Sequence, residues 1–337
     1  MPSVDVAVPN YQYGRYLRDC VTSVLTQEVP NLRILIIDNA STDNSLEVAQ
    51  ELAASDRRVQ VVAHRTNLGH HASFNEGVDW ASSDYFVMLS ADDLLAPGSL
   101  PRSVSVMEEH ANVHLTYGRA LWICNEEGMP QVEPFPQATK WRILPGGQLL
   151  ETVCRAGGRH NIEGPTVVVR TSVQKRVGHY RDELPHTAGL EMWLRFARLG
   201  AAAETDCVQG IRRHHPHIMS ASLPDVHMWD LHWEAAFEYF FAHEGRSVPE
   251  ARRLLRIARR ALSDRAYWGS IANLLRGDTR LSLNLLRFAL ARHPSAMVVP
   301  PVGYLFQRGY AFNHIAHVIS DAARRLSMRP SEANHIL

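Results

Sequence analysis

The sequence predicts an α/β protein in which helices wrap an open, largely parallel sheet, followed by a helical C-terminal domain. Three observations lead to this fold class. Strand-like and helix-like segments alternate through residue 89 with short connections, as they do in parallel sheets. Several strand segments are unbroken aliphatic runs, which is typical of strands that are covered on both faces. From residue 225 onward, nearly every segment has apolar residues at helical spacing.

The first part of the chain has the predicted order β-α-β-α-β-α-β. The four strands are predicted at residues 4–8, 32–38, 59–62 and 85–89. The first helix places Leu17 and Val21 on one apolar face. The second has Asn44 and Glu47 at the spacing of a capping box, and a third, weaker helix covers residues 70–83.

After residue 112 the pattern becomes mixed, and we expect added antiparallel strands. Strands are predicted at 113–124, 164–170 and 201–214, loops at 128–147 and a helix at 186–200. We predict two domains, residues 1–222 and residues 223–337. Within the second, residues 266–295 resemble a single tetratricopeptide-type hairpin, which predicts a packing appendage because one unit is not an array.

The composition limits the functional classes. Lys+Arg 35 against Asp+Glu 35 gives no net charge, so nothing in the total charge indicates nucleic-acid binding. The four cysteines are scattered, and no signal peptide or membrane-spanning run is evident. These features predict a cytoplasmic protein.

The positive charge is concentrated near the C-terminus. Between residues 245 and 329 there are fifteen arginines and four acidic residues. Residues 251–262 place arginines around an apolar helix face. Two interpretations stay open: a solvated helix face, or peripheral contact with the anionic headgroups of a membrane.

Polar residues follow the ends of four predicted strands, at 9–11, Asp38, 65–69 and Asp92–Asp93. In an open parallel sheet, ligands bind beyond the carboxyl ends of the strands. Two adjacent carboxylates repel each other, and a divalent cation would relieve that repulsion and also neutralise a diphosphate. The alternative is that the pair only caps the helix that starts near Pro97.

Four segments in this order and spacing resemble the family 2 glycosyltransferases of the GT-A fold. They are VAVPNYQYGRYLRDCVTSVLTQ, LIIDNASTDNS, NLGHHASFNEGV and YFVMLSADD, with WLRFARLG and RRHHPHIMS as later landmarks. The resemblance covers roughly residues 3–220. It implies a nucleotide-binding, Rossmann-like mixed sheet and an inverting sugar transfer that depends on Mn²⁺ or Mg²⁺.

The resemblance also assigns roles to the residues of the nucleotide pocket. Asp38 would contact the nucleobase, while Pro9 and Tyr11 would line the pocket for base and ribose. Arg65 and Asn67 would close that pocket.

Three further residues would hold the metal ion. Asp93 would be the main ligand, and Asp92 would contact either the ribose or the metal. His214 matches a position near the metal or diphosphate, although a surface imidazole explains it equally well. Ser90 stands where the family's acidic tripeptide usually begins with Asp. Because the last carboxylate of that tripeptide usually holds the metal, we expect metal binding to tolerate the change.

A second departure concerns the base that takes the acceptor's proton. The resemblance implies a carboxylate at the start of the helix carrying WLR, but Ala188 and Gly189 stand there. Glu191 is the first choice as replacement, with an exposed helix acid as its alternative interpretation. Other substitutes lie upstream, at Asp182, Glu183 and His186.

Together these expectations describe a transferase that moves a sugar from a nucleoside-diphosphate donor, a UDP-sugar, to an acceptor hydroxyl. The pathway would be polysaccharide or glycoconjugate biosynthesis, and a lipid-linked acceptor stays open. Two alternatives are a sugar-phosphate nucleotidyltransferase and a catalytically impaired relative that acts as a binding module.

Overall fold

The computed structural model describes residues 1–124, 140–159, 162–215, 223 and 225–306. Within these residues a single mixed sheet is flanked by helices on both faces. The strands are β1 (Ser3–Asn10), β2 (Asn31–Asp38), β3 (Val59–Ala63), β4 (Tyr85–Met88), β5 (Leu94–Leu95), β6 (Val113–Cys124), β7 (Trp141–Leu144), β8 (Val168–Arg170) and β9 (Ala201–His214). The helices are α1 (Gly14–Leu25), α2 (Ser45–Ser55), α3 (His70–Trp80), α4 (Ser99–Glu109), α5 (Gly146–Ala156), α6 (Thr171–Val177), α7 (Ala188–Leu199), α8 (Val226–Ala242), α9 (Ala251–Leu275), α10 (Thr279–Arg292) and α11 (Gly303–Phe306). Short 3₁₀ turns lie at Gly164–Thr166, Glu244–Ser247 and Pro294–Met297.

The sheet order is β3-β2-β1-β4-β8-β6-β9-β5, and β7 pairs with β9 beside this path. Strands β1 to β4 are mutually parallel, whereas β8, β5 and β7 each pair antiparallel with a neighbour. The predicted α/β class and mixed sheet are therefore confirmed. Strands β5 and β7 were not predicted from the sequence. Strand β7 lies within the segment that was expected to be loop.

The central strand β1 is buried on both faces because alternate side chains enter two different cores. Val4, Val6 and Val8 pack with α1, α2 and α4 on one side of the sheet. Ala7 points to the other side, where α5 and α7 to α10 lie. This double coverage explains the aliphatic runs in the sequence.

The helices after residue 225 share the second core with the sheet. Phe237 of α8, Leu262 of α9 and Leu285 of α10 belong to the same buried cluster as Leu150 of α5 and Leu194 of α7. The division into residues 1–222 and 223–337 stays a prediction. Among the described helices, none combines the length and the apolar character that crossing a membrane would require.

The start of α2 differs from the capping box that the sequence suggests. Asn44 occupies the N-cap position, but its side chain makes no capping hydrogen bond. Instead, the carboxylate of Asp43 accepts hydrogen bonds from the backbone N–H groups of Gly14 and Ser45, each at 3.0 Å. Asp43 therefore ties the first turn of α2 to the first turn of α1, next to the carboxyl ends of β1 and β2.

Candidate active site

The carboxyl ends of β1 and β2 form the first part of the site. Asn10 and Asp38 lie side by side in the parallel register. Asn10 Nδ2 donates to Asp38 Oδ1 at 2.7 Å, and the backbone N–H of Ser41 donates to Asp38 Oδ2 at 3.0 Å. Asp38 is 2% exposed, so its carboxylate is fixed in place at the strand end.

The loops after these strands contain strained backbone. Gln12 and Ala40 have φ values of 63° and 61°, in the left-handed region that side chains other than glycine rarely adopt. The hydroxyl of Ser41 holds the two loops together by accepting from the Gln12 backbone N–H at 3.0 Å and from Asn10 Nδ2 at 3.3 Å. Such strain is frequent where a binding loop has a fixed shape.

The other predicted nucleotide-site residues differ in how they are placed. Pro9 is buried within β1, and Tyr11 is 44% exposed just beyond it. Arg65 and Asn67 are exposed in the loop between β3 and α3. Asn39, which was not singled out from the sequence, donates to Asn67 Oδ1 at 2.9 Å and so links this loop to the end of β2.

Asp92 and Asp93 follow β4 and are largely buried, at 8% and 6% exposure. Asp93 Oδ1 accepts a hydrogen bond from the Arg213 backbone N–H at 3.1 Å. His215 Nε2 lies 3.2 Å from Asp92 Oδ2. Burial, and then the charge of Asp92, raise the pKa of Asp93 well above its usual range.

The histidine beside the carboxylates is therefore His215, and not His214. His214 is the last residue of β9 and is exposed. Side chains on a strand alternate between its faces, so His215 follows Arg213 toward the carboxylates while His214 points away. The remaining residues of the RRHHPHIMS landmark, 216–220, lie outside the described residues.

Aromatic rings surround this histidine. The ring centroids of Tyr13 and Tyr16 lie 5.3 Å and 5.2 Å from that of His215. The guanidinium of Arg213 lies over the Tyr16 ring at 4.6 Å. Burial, and then the charges of Asp92 and Asp93, raise the pKa of Tyr13 above its usual value. Nothing in the sequence alone singled out Tyr13, Tyr16 and Arg213 as neighbours of the carboxylates.

The donor set suits a hard divalent cation. Among the described residues, no group of three or more His, Cys, Asp or Glu side chains is arranged to hold a metal ion by itself. Mg²⁺-type ions, however, are usually bound by one or two carboxylates, with phosphate and water oxygens completing the coordination. The buried, mutually repelling carboxylates of Asp92 and Asp93 fit that mode.

A cavity of about 710 Å³ opens beside Asp93. Its wall combines inner strands of the sheet, β4, β8, β6 and β9, with the start of α7 and the first half of α8. The polar and aromatic side chains that line it include Asp93, Trp122, Glu163, His186, Arg212, Trp229 and Trp233. A pocket with largely apolar walls and few charged groups is typical of a substrate site.

Glu191, the first-choice base, does not reach this cavity. It is 0% exposed, and its carboxylate pairs with Arg195 at 2.8 Å. Burial raises the pKa of Glu191, although the Arg195 charge opposes the shift. Ala188 and Gly189 do line the cavity, and two residues further along a helix the side chain has rotated by about 200°.

The upstream substitutes are also distributed differently. Asp182 is exposed and lies 3.4 Å from His71, while Glu183 is exposed near Tyr239. His186 lines the cavity and packs against Trp229, with ring centroids 6.0 Å apart. Burial lowers the pKa of His186, so its imidazole is neutral near pH 7.

One carboxylate in the cavity was missed from the sequence. Among the described lining residues, Glu163 is the only acid besides Asp93. It lies just before the 3₁₀ turn that leads into β8, and Arg212 Nη1 donates to its Oε2 at 2.5 Å. Arg212 in turn lies over the Trp122 ring at 4.7 Å.

Residues 5–176, slightly more than half of the chain, match the family model described as Glycosyl transferase family 2. An uncharacterized glycosyltransferase from Haemophilus influenzae is 27% identical over 208 residues, which cover 60% of this chain and 62% of the relative. The match thus spans less than two thirds of that relative's length.

Two solved structures share the fold. One is S. aureus TarS 1–349 in complex with UDP-GlcNAc, with a TM-score of 0.55 at 15% identity over 88% of this chain and 91% of that one. The other is the mannosyltransferase PcManGT from Pyrobaculum calidifontis in complex with GDP-Man and Mn²⁺. Its TM-score is 0.54 at 16% identity, covering 97% of this chain and 87% of that one.

Proposed function

This chain belongs to glycosyl transferase family 2 and has the GT-A fold, and on that premise we propose that it transfers a sugar from a UDP-sugar donor to an acceptor hydroxyl with inversion at the anomeric carbon. The observation that carries the proposal is the pair Asp92–Asp93, of which Asp93 lines the cavity. Its two carboxylates are buried, and the pKa of Asp93 is raised by that burial. A site of this kind is suited to a cationic ligand.

The nucleoside part of the donor would bind at the ends of β1 and β2. Asp38 offers a fixed carboxylate to the base, with Pro9 and Tyr11 beside it. Arg65 and Asn67 belong to the loop on the far side of β2. A similar fold binds UDP-GlcNAc in one structure and GDP-Man in another, so both nucleotides belong in any test.

The diphosphate would bind between the carboxylates and the end of β9. Asp93 and Asp92 would hold Mn²⁺ or Mg²⁺, which when bound supplies positive charge to the leaving diphosphate. His215 and Arg213 fix the position of both carboxylates through the contacts given above. Arg212 adds a positive charge near Asp93.

The cavity would hold the sugar and the acceptor. We assign the proton acceptor to Glu163, because α7 offers no carboxylate at Ala188 or Gly189 and Glu191 is turned away. The acceptor oxygen forms the bond to the anomeric carbon as the bond from that carbon to the diphosphate breaks. The electron pair stays on the diphosphate, and the hydroxyl proton passes to the Glu163 carboxylate.

A second candidate function rests on the missing carboxylate at the start of the helix that carries WLR. Without a carboxylate at Ala188 or Gly189, the chain would be an impaired relative that binds a nucleotide and transfers nothing. The two candidates differ in turnover. Wild-type protein should release nucleoside diphosphate from UDP-GlcNAc or GDP-Man if it is a transferase that tolerates water as acceptor, and should release none if it is a binding module.

Calorimetric titration with UDP and GDP, with and without Mn²⁺, tests the donor site. We expect Mn²⁺-dependent binding, reduced at least tenfold by Asp93→Asn. Asp79→Asn is the control, since it removes an exposed carboxylate that pairs with His179. If neither nucleotide binds to folded protein with Mn²⁺, or if Asp93→Asn binds like the wild type, the proposal fails.

A further inference from the structure

Exposed apolar residues are concentrated in one part of the helical region. Of fifteen large hydrophobic residues that are exposed in the described part of the chain, nine lie between residues 271 and 306. We call them the apolar patch. They are Ile271, Leu274, Leu275, Leu283, Met297, Val298, Val299, Val302 and Phe306.

The residues of the apolar patch lie on neighbouring segments. Ile271, Leu274 and Leu275 form the end of α9, and Leu283 lies near the start of the antiparallel α10. The segment after α10 returns along α9, where Trp268 Nε1 donates to Pro301 O at 3.0 Å. Val298 is 82% exposed although it is flanked by ordered backbone hydrogen bonds. The apolar patch therefore lies on segments with regular secondary structure or backbone hydrogen bonds.

The arginines of this region fall into two groups. Those along α9 and at the end of α10 pair mostly with acids of the same protein, in the ion pairs of Arg253, Arg259, Arg260, Arg265 and Arg292. At residues 251–262, the helix face that the sequence suggested as a membrane contact, three of the five arginines are thus paired with acids within the fold. Four of the fifteen arginines in the basic region lie outside the described residues.

The arginines beside the apolar patch have a different environment. Arg280 and Arg287 are exposed, and no acidic side chain pairs with them among the described residues. With Leu283 they follow the spacing i, i+3, i+7, which places all three on one face of α10. The single acid between residues 271 and 306 is Asp278, whose carboxylate accepts from the Leu281 backbone N–H to cap α10.

We propose that the apolar patch, with Arg280 and Arg287, docks on the surface of an anionic lipid bilayer. The aliphatic side chains of such a face can be buried at the boundary between headgroups and acyl chains. The flanking arginines can then contact lipid phosphates. A contiguous exposed apolar surface on a soluble fold marks an interaction site. The unpaired positive charge favours an anionic membrane as its occupant.

Sedimentation of the full chain with lipid vesicles tests this docking surface. We expect binding to vesicles of phosphatidylcholine and phosphatidylglycerol at 3:1, little binding to phosphatidylcholine alone, and weaker binding in 0.5 M salt. Arg280→Ala with Arg287→Ala should lower the affinity about 25-fold, because each arginine contributes about fivefold at such a surface. Val298→Asp with Val299→Asp should lower it at least tenfold.

The matched control is Arg252→Ala with Arg256→Ala, which removes the same charge from exposed positions near the other end of α9. It should change the affinity less than twofold, and unchanged melting temperatures should show that all variants fold. Absence of binding to anionic vesicles overturns the proposal. So does binding that neither patch variant weakens, which would place the contact elsewhere in the chain, or a dimer in light scattering that the Val298–Val299 variant dissociates.

Discussion

Replacing Glu191 by alanine should destabilise the fold, since this residue balances a buried cation. The Glu191 carboxylate contacts Arg195 Nε at 2.9 Å and Nη2 at 2.8 Å. Arg195 is 2% exposed and also donates to the backbone carbonyls of Val177 and His179. Alanine would leave the guanidinium buried with two neutral acceptors and no opposite charge.

The size of the effect follows from this environment. Removing one partner of a buried ion pair costs about 3–5 kcal/mol. Glu191 Oε1 has no hydrogen-bond partner within the described part of the chain, and burial raises the pKa of Glu191, so the pair is imperfect. We therefore expect a loss near the lower end, about 3 kcal/mol, which for a chain of this size corresponds to roughly 4 °C in Tm.

Denaturation by guanidinium chloride, with thermal melting, measures this loss. Glu191→Gln should fall between wild type and Glu191→Ala, because it keeps the shape and loses the charge. Glu47→Ala, an exposed acid in the first turn of α2, should stay within about 0.5 kcal/mol of wild type. If Glu191→Ala is as stable as wild type while a folded Glu191→Gln loses sugar transfer, Glu191 is the base and the argument from the buried pair is refuted.

Three further predictions concern the cavity, the carboxylates and the sheet. Glu163→Gln should lower kcat at least 100-fold with the nucleotide Kd unchanged, and an unchanged kcat would remove Glu163 from the mechanism. Adding Gly189→Asp should restore part of the rate, because a Cβ at 189 would lie no closer than 4.0 Å to Trp193 Nε1. His215→Ala should weaken Mn²⁺-dependent UDP binding more than His214→Ala does in the same titration, and equal effects would contradict the contact with Asp92. Asp5 is fully buried and accepts five hydrogen bonds, which offset burial and lower its pKa below that of the unfolded chain. The stability that Asp5 contributes is present above about pH 4 and is lost as the pH falls through its folded pKa. Asp5→Asn should therefore make the free energy of unfolding depend less on pH in the acid range. An unchanged pH dependence would refute the role given to Asp5.

Much of the sheet was predictable because its physical signal is local. Strands β1 to β4 are aliphatic runs long enough to be recognised on their own, and the bounds found agree within two residues. Strand β5 is two residues long and exists only because Leu94 and Leu95 pair with β9. Such pairing is a property of the tertiary fold, so no sequence period announces it.

The site was predictable to the extent that strand ends determine it. Asp38, Asp92 and Asp93 lie at carboxyl ends of the parallel strands, as the topology requires. The choice between His214 and His215 depended on the direction of each side chain at the end of β9, and the β6–β9 register contains irregularities that shift such directions. Glu163 enters the cavity from a distant 3₁₀ turn, which no spacing in the chain reveals.

The wall that α8 supplies to the cavity has an evolutionary consequence. Trp229 and Trp233 come from a helix that shares its core with α5, α7 and α9, whereas the nucleotide loops belong to the first four strands. If the cavity holds the acceptor and the loops hold the nucleotide, as proposed, specificity for the two substrates depends on separate stretches of chain, which can diverge at different rates. A chimera between relatives should accordingly exchange α5 through α10 as one piece, because a junction at the end of β9 would divide a single hydrophobic interior.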